Sequence, residues 1–253
     1  MTAPVVALHG FACSPRMWEP VLSHADMPAL LGHAPSATPD SATDSATDSA
    51  IDSSGDSSGD FWAEVDRIAD LFRPGGAARV FGYSMGARVA LGLAVRHPEL
   101  VEELTLVGAN AGLETEAARH ERRAWEDGWR RTLERDGIAA FAEAWEALPL
   151  WESQRALPED LLARQRAARR EHDPRGLSAA LAVLGLGAMP NLWPALPELS
   201  APVHVIAGAL DSKFAALAER IGALAPRSRV SLVPGAGHNP ILETPRALAR
   251  LLR

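Results

Sequence analysis

Ala78-Arg79-Val80-Phe81-Gly82-Tyr83-Ser84-Met85-Gly86-Ala87-Arg88-Val89-Ala90-Leu91 is the stretch that decides the fold. Its first residues are an apolar run that predicts a strand over 78–83. Gly82 to Gly86 spell G-x-S-x-G, and apolar residues then recur at helical spacing, predicting a helix over 86–96. A serine on a sharp turn from strand to helix exposes its hydroxyl at the top of a parallel sheet. The pentapeptide alone is common; the strand before it and the helix after it make it informative.

A serine nucleophile on such a turn is served by an acid and then a histidine, in that chain order. Ala201 to Ala209 is an apolar run followed by Asp211. Val230 to Val233 is a second one, followed by Pro234-Gly235-Ala236-Gly237-His238-Asn239. Both residues fall on loops after strands, the side of an open α/β sheet where ligands bind. His238 is therefore expected to take the proton of Ser84, with Asp211 holding its tautomer. Two plainer readings stand beside this one: a surface-loop histidine, and an aspartate that only N-caps the helix after it. Asn110, at the end of another strand, offers an amide instead of a carboxylate. Near the N-terminus Val5 to Leu8 predicts a strand that runs into His9-Gly10-Phe11. The backbone N–H groups of Phe11 and Met85 are the expected oxyanion hole.

With 253 residues, 47% hydrophobic and 23% charged, the chain can bury one good-sized core. A single cysteine, Cys13, excludes an internal disulfide and fits a reducing, cytoplasmic setting. No apolar run is long enough to predict a membrane span. The net charge of −7 is misleading, because six aspartates from Asp40 to Asp60 account for most of it. The remainder is nearly neutral, so neither nucleic acid nor a membrane is an expected partner. Those aspartates belong to a tetrapeptide written five times from Ser41 to Asp60 (SATD, SATD, SAID, SSGD, SSGD). It has almost nothing apolar to bury and reads as a solvated loop. A calcium site is the alternative there, although the spacing does not match an EF-hand loop. No cofactor or resident metal is expected.

Strands and helices alternate along most of the chain, which implies α/β architecture with a parallel sheet. A further strand is expected at Pro28 to Leu31. Helices are expected at 61–72, 212–225 and 244–252, and strands at 101–107, 202–208 and 229–233. From Gly112 to Leu199 the alternation stops, and only helices fit, at 115–135, 137–146, 158–170 and 174–186. The expected organisation is thus a core at 1–111, a helical cap at 112–199 and the rest of the core at 200–253.

These motifs together resemble the α/β-hydrolase superfamily. Finer features resemble its menaquinone-pathway branch, the SHCHC (2-succinyl-6-hydroxy-2,4-cyclohexadiene-1-carboxylate) synthases. The stretches that carry this are Leu8-His9-Gly10-Phe11, Gly82 to Arg88, Asp211-Ser212-Lys213-Phe214, and Gly235 to Asn239. In the cap they are Glu121-Arg122, Phe141 to Trp145, and Gly185 to Trp193. The resemblance implies an α/β-hydrolase fold, mainly parallel with helices on both faces, and a helical cap that lies over the active site and excludes water. As a departure from it, the sequence starts at the oxyanion-loop strand, so the usual N-terminal hairpin is expected to be missing. It implies a carbon–oxygen lyase that removes a proton from a succinyl-bearing cyclohexene acid and releases pyruvate, with a small carboxylate as substrate. It singles out Arg88, Arg122 and Arg169 as carboxylate binders, and Tyr83, Trp145 and Lys213 as pocket residues. Independently, Arg88 lies one helical turn after Ser84, and the cap is dense in arginine, whose forked donors suit carboxylates. Most cap arginines read equally well as a solvated face paired with glutamates. The chain departs from relatives that carry D-x-P-G-H-G; Leu30-Leu31-Gly32-His33-Ala34 keeps only part of it. A serine hydrolase of esters, thioesters or carbon–carbon bonds would use the same triad. A non-catalytic binding protein on this fold would have no need to keep all three triad residues.

Overall fold

The computed structural model describes residues 3–33 and 60–252. The expectations of a solvated loop and of a calcium alternative over the tetrapeptide repeat lie outside the described residues, except at Asp60.

Among the described residues, five strands form one all-parallel sheet in the spatial order β1-β2-β3-β4-β5. They are β1 (Val5–Leu8), β2 (Ala78–Tyr83), β3 (Val101–Val107), β4 (Val203–Gly208) and β5 (Ser228–Val233). Alternation along each strand feeds two cores. Val6, Leu8, Val80, Leu104, Leu106, Val203 and Val205 turn to one face. There they pack on α1 (Phe61–Phe72), α2 (Met85–Arg96) and α6 (Ser212–Leu224). Ala7, Phe81, Val107, Ile206 and Val233 turn to the other face. They meet Trp18, the short helix α7 (Pro240–Glu243) and α8 (Pro245–Leu251). Each fully buried Leu or Val contributes roughly 1.5–3 kcal/mol of transfer energy, so the two layers fix the sheet between them. Asp60 caps α1, its carboxylate accepting from Ala63 N–H at 2.8 Å.

The expected strand at 28–31 does not form. Among the described residues, only one parallel bridge, Val6 to Asp26, extends the sheet beyond β1. Pro28 has no N–H to give a ladder, and the next donors are diverted to side chains. Leu30 N–H goes to His9 Nε2 at 3.0 Å and Leu31 N–H to Glu64 Oε1 at 2.8 Å.

The glycines of the G-x-S-x-G turn are needed for space. A Cβ at Gly86 would lie 2.3 Å from the Leu8 carbonyl oxygen, and one at Gly82 would lie 2.5 Å from the Gly86 carbonyl oxygen. The first turn of α2 therefore presses directly on the end of β1, beside the His9–Phe11 loop.

Between β3 and β4 the chain forms α3 (Glu116–Glu146), α4 (Glu159–Arg170) and α5 (Pro174–Leu184), with a 3-10 stretch at Pro149–Ala156. α3 breaks at Gly137, where φ is 80°, the position where two separate helices were expected to meet. Leu133, Phe141, Trp145, Leu177 and Leu181 form a third core that packs on Phe11 and Ala12. The helices are thus seated on the loop that follows β1.

Candidate active site

Ser84 sits at the end of β2 with φ 51° and ψ −105°, a left-handed geometry rare for a residue with a side chain and worth roughly 1–3 kcal/mol of strain. Its N–H is tied to the Val107 carbonyl at 2.9 Å. The strained turn aims the hydroxyl at His238, with 3.2 Å between Oγ and Nε2. His238 Nδ1 lies 2.9 Å from Asp211 Oδ2. A carboxylate can only accept, so Nδ1 carries the proton and Nε2 is free to take the serine's. Asp211 also does the plainer job considered for it: its other oxygen accepts from Phe214 N–H at 3.1 Å and caps α6. The three groups, spread over 155 positions of chain, form one hydrogen-bonded line at the ends of β2, β4 and β5.

The two tasks of Asp211 can be separated. Asparagine caps helices about as well as aspartate, but its amide does not stabilise a charged imidazole. Asp211→Asn is expected to lower turnover about 10⁴-fold, while the melting temperature stays within a degree or two. A substantially lower melting temperature with activity retained would contradict this division.

The histidine is held from several sides. Its ring is buried and packed by Phe214 at 4.3 Å, Tyr83 at 5.6 Å and Trp151 at 5.6 Å between centroids. Glu243 clamps its loop by accepting from Gly237 N–H at 2.6 Å and Asn239 N–H at 3.1 Å.

Ser84 and His238 open on a cavity of about 240 Å³. Phe11 and Met85 line it, and neither backbone N–H meets a protein acceptor among the described residues. Its wall is aromatic, from Phe11, Trp125, Trp145, Trp151 and Phe214, and Arg88, Arg122 and Lys213 supply cations. Trp145 and Tyr83 also line the cavity, and each keeps a buried donor without a hydrogen-bond partner among the described residues, the indole Nε1 and the phenol hydroxyl. Burial holds the Tyr83 phenol well above its ordinary pKa, so it stays a neutral donor.

Arg88 is the most telling of the cations. It is only 8% exposed, and its guanidinium has no hydrogen-bond partner among the described residues. Desolvation lowers its pKa to about 10, with nearby Glu126 opposing the fall and Arg122 adding to it. A cation so placed is paired once an anion enters the cavity. Arg122 lies across the Trp125 ring at 4.2 Å, and its Nε donates to Glu126 Oε1 at 2.8 Å. Glu126 is itself buried and also accepts from Leu186 and Gly187 N–H. A wider vestibule outside the cavity shares Arg122, Trp125 and Lys213.

Arg169 stands apart from the expected convergence. It is buried but does not line the cavity. Glu146 binds its guanidinium and that of Arg166 together, a pairing that sequence cannot foresee from the arginine-dense run 164–170. Trp151, Phe214, Glu126 and Glu243 had no role in the sequence-based site. Trp151 lies on the 3-10 stretch at 149–156, where no element was expected, and Phe214 was visible only as part of Asp211-Ser212-Lys213-Phe214.

Known proteins resemble the chain in sequence and in fold. Residues 5–251 match the alpha/beta hydrolase family. A Salmonella paratyphi C (strain RKS4594) protein named 2-succinyl-6-hydroxy-2,4-cyclohexadiene-1-carboxylate synthase is 29% identical over 270 residues, covering 98% of this chain and 93% of that one. A Bacillus subtilis (strain 168) protein provisionally given the same name is 37% identical over 174 residues. That match covers 69% of this chain and spans 64% of the Bacillus protein's length. Among solved structures, MenH from S. aureus superposes with a TM-score of 0.85 at 30% identity, covering 100% of this chain and 92% of that one. By its matched length and its structural likeness, the chain belongs to the alpha/beta hydrolase family.

Proposed function

We propose that the protein is a carbon–oxygen lyase that eliminates pyruvate from 2-succinyl-5-enolpyruvyl-6-hydroxy-3-cyclohexene-1-carboxylate, a step of menaquinone biosynthesis in the cytoplasm. The observation that carries this reading is the buried, unpartnered Arg88 guanidinium in the same cavity as the Ser84–His238–Asp211 line. A site for neutral esters has no use for such a charge, whereas a polyanionic substrate pairs it.

In this reading Ser84, relieved of its proton by His238, takes the hydrogen on the ring carbon next to the succinyl carbonyl. The C–H electrons pass into an enolate, whose oxygen is held by the N–H groups of Phe11 and Met85. Collapse of the enolate forms a double bond between C2 and C3 of the ring, moves the existing one from C3=C4 to C4=C5, and expels the enolpyruvyl oxygen from C5. The departing enolpyruvate picks up a proton and becomes pyruvate. Asp211 stabilises the imidazolium throughout, and no acyl-enzyme forms. Arg88 and Arg122 bind carboxylates, with Lys213 at the mouth, Tyr83 donating from below and Trp145 forming the wall. Segment 112–199 acts as the cap that keeps water from the enolate.

Arg122→Ala separates this reading from simple ester hydrolysis. Its kcat/KM for pyruvate release is expected to fall about 100-fold, the worth of one or two charge-assisted hydrogen bonds. Hydrolysis of a neutral p-nitrophenyl ester is expected to change less than about threefold. Equal losses on both substrates, or ester hydrolysis with no pyruvate release by the wild type, would favour a serine hydrolase.

A further inference from the structure

Phe11 lies between two peptide groups, and an imidazole grips each of them. A trans peptide carries its carbonyl and its N–H on opposite sides, so fixing one direction fixes the other. The Gly10 carbonyl accepts from His9 Nδ1 at 2.8 Å and from Cys13 N–H at 3.2 Å. The Phe11 N–H of that same peptide is thereby turned the other way. In the next peptide, Ala12 N–H donates to His33 Nε2 at 3.0 Å.

The partners permit one tautomer for each ring. His9 Nε2 accepts Leu30 N–H, and His33 Nδ1 faces the Leu31 carbonyl at 2.9 Å. In both rings the proton sits on Nδ1 and the lone pair on Nε2. The rings are fully buried and 4.7 Å apart. Burial pushes His9 down to about 4 and His33 well below its ordinary range; His172 adds repulsion to both, Arg67 to His9 and His9 to His33. Both therefore stay neutral acceptors at physiological pH. The grip has something to hold: Ala12 is left-handed, with φ 52°, a conformation that a residue with a Cβ leaves readily once its support is removed.

We propose that His33, together with His9, is a positioning residue that sets the peptide planes on either side of Phe11 and so keeps the Phe11 N–H available as an oxyanion donor. This rests on the oxyanion role given to Phe11 above. It does not depend on the substrate, because an ester hydrolase would use the same donor.

The test compares His33→Leu, which has no acceptor, with His33→Gln, whose Oε1 can reach the place of Nε2. The assay is whichever reaction the wild type catalyses, pyruvate release or ester hydrolysis, so failure of the lyase reading leaves this test intact. His33→Leu is expected to lower kcat about 100-fold, the order of one lost oxyanion donor, with KM within about threefold. His33→Gln is expected to stay within about tenfold of wild type. A ¹⁵N spectrum of the wild-type imidazoles is expected to show both protons on Nδ1. The proposal is overturned if His33→Leu keeps its kcat, if the Gln variant is as impaired as the Leu variant, or if either ring carries its proton on Nε2. Should the Leu variant not fold, the Gln variant and the tautomers decide: activity within about tenfold and both protons on Nδ1 support the proposal, and any other result overturns it.

Discussion

Ser84→Ala is expected to lower turnover by about 10⁴-fold or more, whichever reaction the enzyme catalyses. The hydroxyl is the group that meets His238 Nε2, at 3.2 Å. The fold is expected to survive, because alanine meets the same left-handed strain as serine at φ 51°. Ser84→Gly sharpens the prediction. Glycine adopts that backbone without penalty, so this variant is expected to be equally inactive yet more stable, by about 1 kcal/mol. Turnover near wild type in either variant would remove Ser84 from the mechanism. A stability loss in the glycine variant would remove the strain from the account of the turn.

Arg88→Met is expected to move activity and stability in opposite directions. Burial holds the guanidinium pKa down at about 10, well below its open-chain value. A cation with a lowered folded pKa destabilises the fold at every pH below that value, and the penalty is relieved only as pH climbs past it. By linkage the penalty is about 3 kcal/mol. Methionine fills similar space without the charge, so the melting temperature of the ligand-free protein is expected to rise by a few degrees. The same change leaves a substrate carboxylate unpaired in an apolar cavity, and kcat/KM for pyruvate release is expected to fall about 10²- to 10³-fold. A lower melting temperature would mean that Arg88 is paired inside the protein. Unchanged kcat/KM would mean that its charge does not meet the substrate.

Much of this site was legible because its parts are local. The turn around Ser84 is written in a strand, two small residues and a helix within twenty positions, and the chain order of Asp211 and His238 follows from the same architecture. The glycines at 82 and 86 could be placed from sequence, although their reason, the close approach of α2 to β1, needed coordinates. Legibility ended where distant segments choose between partners. The apolar stretch at 28–31 looks like a strand, but His9 and Glu64 take the N–H groups that a ladder would need. Arg169 resembles Arg166 and Arg170 in sequence, and only the position of Glu146 decides that it is held away from the cavity. Glu126 looks like one more charge on a helix face, yet it is buried against Arg122 and two backbone donors. Trp151 reaches His238 from a 3-10 stretch with no periodic signal of its own. His33 survived as a fragment of a motif, with nothing in its neighbours to show that it would support Ala12.

The central claim is that an anion-binding cavity and a serine–histidine–aspartate line together perform an elimination. The most direct measurement supplies purified protein with 2-succinyl-5-enolpyruvyl-6-hydroxy-3-cyclohexene-1-carboxylate and follows pyruvate with a coupled dehydrogenase, alongside Ser84→Ala. One pyruvate per substrate consumed, formed by the wild type and lost in the variant, is the predicted result. Pyruvate formed equally fast by both proteins, or none formed by the wild type while it cleaves simple esters, would contradict it.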